Sequence, residues 1–227
     1  MTVSTATRSR VGIAFIARLR SALGPNTALA AQLRREAGTP LGQSRVQVEW
    51  YGLMSHGPAE LQRDGPNEIA FLVSTLFAHD RNAYRLAHDP TTDAASDAVA
   101  ESSPEPGSPQ APSELRGLNV GGALGRLVRA GDPAKDPLAR RLIILLDSSL
   151  EPDGGGSLPW RLRHTLSLLR SRTSGPRPVL DWGRLLDDLL LWNHPERFVQ
   201  RDWARSFYRL VPVTPDDPAS AGEAATL

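Results

Sequence analysis

The 227-residue chain contains no cysteine. Disulfide stapling, thiolate catalysis and cysteine-based zinc or iron–sulfur sites are thereby excluded. Lysine is almost as scarce, since arginine supplies 25 of the 26 basic residues. A GC-rich genome produces the same bias, so the sign of the charge informs and the choice of arginine does not. No apolar run approaches the ~20 residues that span a bilayer. Residues 1–10 are polar and lack the apolar core of a secretory leader, so a soluble cytoplasmic protein is expected. Nor is there a GxxxxGK(S/T) loop to hold a nucleotide phosphate or an HExxH pair to hold zinc. His56, His79, His88, His164 and His194 show no metal-ligand spacing and read as surface or capping residues. Neither a metal, a cofactor nor a catalytic residue is expected, and the chain reads as a non-enzyme.

Present instead is a 40% hydrophobic content, enough for one large domain or two small ones. The net charge of +1 conceals a segregation. Residues 1–85 carry +4 and residues 115–210 carry +6, whereas 86–114 carry −6 and 211–227 carry −3. The acid lies where proline, serine and alanine abound and aromatics are missing, a composition that cannot offset its ordering entropy by burial. These stretches predict a flexible acidic insert at 89–114 and a disordered tail at 211–227. They leave an N-terminal helical domain at 1–88 and a C-terminal helical bundle at 115–210. The expected fold is all-α, two small bundles joined by an acidic linker, with the folded parts suited to an anionic partner.

Helical spacing recurs throughout. Val11, Phe15, Ile16, Leu19 and Leu23 form an apolar stripe that stops at Gly24-Pro25. Asn26 or Thr27 can cap a second helix to about residue 36, and a third is expected at 43–53. Asn67 reads as the cap of a fourth, running to about residue 86. After the insert, helices are expected at 119–128, at 136–148 with Asp136 as N-cap, at 158–172, at 182–192 capped by Asp181, and at 196–209.

The last of these is the most informative. Arg197, Arg201, Arg205 and Arg209 are four residues apart, and Val199, Trp203 and Phe207 keep the same rhythm roughly 150–200° away. Such a helix buries one stripe and presents a cationic ridge, which suits a line of phosphates. A solvated face neutralised by Asp187, Asp188 and Asp202 is the alternative. The helix at 158–172 repeats the theme: Leu158, Leu162, Leu166 and Leu169 form its stripe, Arg163 and Arg170 share one flank, and Arg161 and Arg172 the other. Arg140 and Arg141 lie on a helix otherwise nearly all apolar, so they reach a partner or pair with Asp136 or Asp147. Arg34 and Arg35 close the second helix, where the helix dipole alone favours cations. Trp182, Trp192 and Trp203 recur with leucine at helical spacing and read as core, which leaves stacking on bases open for the others.

An ordered set of segments carries a resemblance. Leu118-Asn119-Val120-Gly121-Gly122-Ala123-Leu124 is followed by Leu138-Ala139-Arg140-Arg141-Leu142, and then by Leu162-Arg163 with Leu168-Leu169. Pro178-Val179-Leu180-Asp181-Trp182, Leu189-Leu190-Leu191-Trp192 and Gln200-Arg201-Asp202-Trp203-Ala204-Arg205-Ser206-Phe207-Tyr208 complete it, and Ala31-Gln32-Leu33-Arg34-Arg35 fits at the other end. In this order they resemble the CasB family, the small subunit of Cascade, the type I-E CRISPR surveillance complex of antiviral defence. The resemblance implies an all-α, non-catalytic subunit that packs beside a second copy of itself, the crRNA-bearing backbone and the large subunit. It also implies partners in crRNA and in both DNA strands of the R-loop, held by basic residues. On matching positions these are Arg34, Arg35, Arg140, Arg141 and Arg163, while Arg170, Arg197 and Arg201 rest on helical geometry. The insert at 89–114 is longer than the resemblance implies. A helical regulator reading a duplex site through residues 157–172 is the competing reading.

Overall fold

The computed structural model describes residues 9–80, 117–129, 135–171 and 178–211. The acidic stretch 89–114 and residues 212–227, expected to be flexible, lie outside these. Among the described residues the chain is helical: α1 (Ser9–Leu23), α2 (Thr27–Arg35), α3 (Gln47–Met54), α4 (Pro66–His79), α5 (Val120–Arg129), α6 (Lys135–Leu146), α7 (Leu158–Ser171), α8 (Trp182–Leu190) and α9 (Phe198–Leu210). Single 3-10 turns at Leu41–Gln43 and Ala59–Leu61 flank α3. Among the described residues, extended pairing is limited to one parallel bridge between Leu118 and Leu180. None of the described helices is long and apolar enough to cross a membrane.

Each helix buries the stripe its sequence shows. In α1, Phe15, Ile16, Leu19 and Leu23 are buried, and Gly24-Pro25 follows. Asn26 caps α2 by accepting from the Leu29 amide at 2.9 Å, satisfying one of the amides left without an intrahelical partner. The central element is α4, in which every residue from Ile69 to Ala78 is buried. A helix apolar all round belongs inside a core, and its Ser74 and Thr75 hydroxyls bond back to the Ala70 and Leu72 carbonyls. α4 begins two residues earlier than its sequence suggests, after Gly65 at φ 75° with Pro66 in its first turn. Asn67 is therefore not a cap. It is buried within the first turn, and its Oδ1 accepts the Trp50 indole N–H at 2.9 Å. The expected continuation of α4 to residue 86 lies outside the described residues.

The N- and C-terminal segments share one core. A single cluster of buried side chains runs from Phe15 through α4 to Phe207, and α4 lies against α8 with Phe77 edge-on to Trp182 at 5.4 Å. α1 and α8 cross so closely that a Cβ on Gly12 would stand 2.1 Å from the Gly183 carbonyl oxygen. The contact is fastened by the Gly12 amide, which donates to Asp187 Oδ1 at 3.1 Å. α5 lies against α9 in the same manner, with Gly121 facing the Trp203 backbone. Asn119 precedes α5, accepts from the Gly122 amide at 2.8 Å, and donates across to Asp202 and Ser206 of α9.

Further boundaries depart from the sequence reading, among them the start of α3, at Gln47 instead of 43. Asp136 sits within the first turn of α6, which starts at Lys135. α8 ends at Leu190. Trp192 lies beyond it and donates its indole N–H to the Ser148 carbonyl at 3.0 Å. α9 begins at Phe198 because Arg197 takes left-handed backbone at φ 48° and cannot extend the helix.

Candidate nucleic-acid interface

α7 positions two groups of cations on opposite flanks. Arg163 and Arg170 are seven residues apart and lie on one side, while Arg161 is two residues from Arg163 and falls about 200° away. The buried Leu158, Leu162, Leu166 and Leu169 fix that rotation by facing the core.

The Arg163 flank meets α2 and α4. Arg163 Nη1 donates to the Ala37 carbonyl just after α2, at 2.9 Å. Arg170 Nη1 is hydrogen-bonded to His79 Nδ1 at the end of α4, and its Nε lies 3.9 Å from Asp80. Since guanidinium donates, His79 accepts through Nδ1 and is neutral. Burial is the main cause holding the His79 pKa below the ordinary imidazole value, followed by the fields of Arg170, Arg163 and Arg34. Arg34, Arg163 and Arg170, from two helices, thus converge on one imidazole. Arg35 is exposed on the last turn of α2 beside Arg34.

The other flank faces α6. Arg140 and Arg141 are exposed on α6 and, with Arg161 of α7, line a cavity of about 380 Å³. Trp160, His164 and Ile144 share the lining. Neutralisation by Asp147 is not what the structure shows, because Asp147 pairs with Arg197 at 3.1 Å. Among the described residues no carboxylate is within ion-pair distance of Arg140, Arg141 or Arg161.

α9 divides the four-arginine series. Val199, Trp203 and Phe207 are buried as expected, and Arg201, Arg205 and Arg209 are exposed. Arg197 does not belong to this ridge. Its guanidinium turns back to the Leu146 carbonyl and Asp147, closing the end of α6. The acids expected to neutralise the ridge are occupied elsewhere. Asp188 accepts the Trp203 indole N–H at 2.6 Å, Asp202 bonds Arg184, and Asp187 holds Gly12.

The eight arginines singled out by sequence thus fall in three places: the α2–α4–α7 junction, the α6–α7 groove and the α9 N-terminus. Sequence reasoning missed His79 and His164 as members of these groups; it put Arg161 on the flank opposite Arg163 and left Trp160 open as a stacking residue, assigning neither to the site. Trp160 had a usable signal, being opposite the leucine stripe of α7; His79 had none, because its neighbours are remote in sequence. Among the described residues, no three or more His, Asp or Glu side chains are grouped to hold a metal ion.

Known proteins share both the sequence and the fold. A 33% identical stretch of 89 residues matches the CRISPR-associated protein Cse2 of Thermus thermophilus, covering 39% of this chain and 46% of that protein. The aligned region therefore spans about half the length of that relative. The crystal structure of M. ruber CasB superposes with a TM-score of 0.58 at 27% identity, covering 89% of this chain and 93% of that one. A chain of a CRISPR RNA-guided surveillance complex superposes with a TM-score of 0.60 at 20% identity, covering 90% and 95%. That likeness shows a shared all-α fold. The family model for CRISPR-associated protein Cse2 matches residues 29–208, a span that includes all eight arginines singled out by sequence, and the chain belongs to that family, also called CasB.

Proposed function

We propose that this protein is the non-catalytic small subunit of a type I-E Cascade complex, in which its basic surface retains DNA opened by the guide RNA. Membership of the Cse2 family supports this reading, as does a fold shared with a chain of an RNA-guided surveillance complex. The observation that carries it is the set of guanidinium groups on α2 and α6, with Arg161 and Arg163 of α7, that no carboxylate of the described residues neutralises.

The mechanism is electrostatic. R-loop formation is nearly balanced, because the heteroduplex gained is about as stable as the DNA duplex lost. A cationic surface that holds a separated strand slows reannealing and shifts that balance toward the open state. Base identity is read by the guide, so the protein needs only phosphate contacts. The partners under this reading are crRNA, both DNA strands, the other Cascade subunits and a second copy of the chain.

A duplex-reading regulator fits less well. Its recognition helix would be α7, whose flanks are occupied by contacts to Ala37 and His79 on one side and by α6 on the other. α7 also buries Leu158, Leu162, Leu166 and Leu169, so the side left exposed at Trp160, Arg163 and His164 is less than a recognition helix lying in a major groove presents.

The test is co-expression with the other Cascade subunits and a guide, comparing wild type with Arg140→Ala/Arg141→Ala. Assembly should be unchanged and target binding should weaken equally across target sequences. Each lost phosphate contact lowers the salt slope by about 0.7 for a single strand, so the pair should lower it by ~1.4. A sequence-selective loss, or an unaltered slope, refutes the reading.

A further inference from the structure

The groove between α6 and α7 contains more than charge. Trp160 lies about 200° around α7 from the buried Leu158 and Leu162, and it keeps 60% of its surface exposed. The other four tryptophans are in the core, none more than 6% exposed. His164 rests its ring 4.1 Å from the indole at 43°, and its Nδ1 donates to the Trp160 carbonyl at 2.8 Å. The indole is therefore braced by a neighbour that is itself tethered, and most of its surface stays open.

Pro137 and Ile144 extend the apolar wall, and Ile144 is 49% exposed. The cavity of about 380 Å³ falls within the roughly 300–1,000 Å³ of sites that accept small molecules. Among the described residues, three guanidinium groups share this lining and no carboxylate does. A flat aromatic surface ringed by uncompensated cations complements a ligand with a π face and negative charge close together. A purely apolar protein segment would leave the cations unsatisfied, and an acidic one would leave the indole without a flat partner.

We infer that this groove takes one unpaired nucleotide of a single strand, with its base stacked on Trp160 and its flanking phosphates on Arg140, Arg141 and Arg161. The inference rests on the nucleic-acid reading above and adds to it a residue that contacts the base. Only a base outside a duplex can offer its face to a protein ring. Stacking also tolerates any base, since each has a π face, so the groove recognises single-strandedness and not sequence.

The experiment uses the full chain with a short oligothymidylate and an abasic oligomer with the same number of phosphates, titrated at several salt concentrations. Base–aromatic stacking measured by alanine substitution corresponds to a loss of roughly 5- to 150-fold in affinity. Trp160→Ala should lose that factor on oligothymidylate, keep the wild-type salt slope, and bind the abasic oligomer as wild type does. Trp160→Phe should retain most of the affinity, because a ring remains. Trp160 is exposed, so unchanged circular dichroism is expected in both variants. Equal affinity of wild type for the two oligomers, or no binding of either at low salt, overturns the inference. So does a Trp160→Ala variant that fails to join the other subunits yet binds oligothymidylate normally, since Trp160 would then be a protein contact. The expected loss in Trp160→Ala alongside an unaltered salt slope in Arg140→Ala/Arg141→Ala would instead sink the electrostatic reading and leave stacking intact.

Discussion

Two helical glycines should respond to alanine with opposite signs. Gly52 lies in α3 with nothing within 4 Å of where a Cβ would stand, so Gly52→Ala should gain the helix-propensity difference of about 0.5–1 kcal/mol. A Cβ on Gly121 would stand 1.9 Å from the Trp203 carbonyl oxygen, 2.6 Å from its carbon and 2.9 Å from its Cα. These are backbone atoms, which no rotamer change can move. Reaching 3.0 Å requires α9 to withdraw by the difference, 1.1 Å. Gaps of ~0.5–1 Å forfeit a quarter to a half of each dispersion contact, and the fully buried Trp203 and Phe207 would feel them. Overpacking of this kind costs about 1–3 kcal/mol. With backbone as the obstacle the upper end applies, and after the propensity gain Gly121→Ala should lose about 2 kcal/mol. For a chain of this size that corresponds to a fall of ~4–8 °C in Tm, against a rise of ~1–4 °C for Gly52→Ala. Thermal unfolding followed by far-UV circular dichroism measures both. A Gly121→Ala variant as stable as wild type would show that α5 and α9 are not in backbone contact, and the placement of the α9 arginines would fall with it.

Acidification should weaken the fold through His79. Its folded pKa lies below the unfolded value, so between the two the unfolded chain binds more protons. Stability is therefore lost as pH falls through the ordinary imidazole value toward the folded one, and His79→Gln, which can still accept from Arg170, should flatten that slope in urea titrations. A slope unchanged in the variant would remove His79 as its source. Asp187→Ala should cost ~1–3 kcal/mol by leaving the buried Gly12 amide without its acceptor. Hydrogen exchange should then rise in α1 more than in α9, and uniform exchange would deny the local role.

Much of the architecture was legible because burial writes itself into spacing. The stripes of α1, α7 and α9 predict which residues are interior, and the seven-residue interval places Arg163 and Arg170 on one flank of α7. Helix starts were less legible. Asn67 and Asp136 both have the chemistry of caps, but a tertiary partner, the Trp50 indole, claims the Asn67 amide oxygen. The glycines of α5 weaken its helix propensity in isolation, and only the packed structure shows that α9 occupies the space their side chains would need. Charge pairing was illegible for a related reason. Asp147 lies 50 residues from Arg197, and Arg163 meets a carbonyl 126 residues away. No local pattern distinguishes an arginine that closes a helix from one that faces a ligand.

That distinction organises the charge of the whole molecule. Arg184 and Arg197 are bound to Asp202 and Asp147, and replacing them would disturb packing before it disturbed binding. Arg140, Arg141, Arg161 and Arg201 have no such counter-ion among the described residues. Residues 1–85 and 115–210 together carry an excess of positive charge, +4 and +6, and like charges held close oppose compaction. The field is felt at His79, where Arg170, Arg163 and Arg34 add to burial in disfavouring a further proton. Arg170 has Asp80 3.9 Å from its Nε, but a fold selected only for stability would be expected to neutralise Arg34 and Arg163 as well, and further acids are present in the chain. They are used instead at Gly12, Trp203, Arg184 and Arg197. The unneutralised arginines are thus what remains after the fold's own electrostatic needs are met, and a polyanion laid along them would relieve the repulsion that their clustering creates.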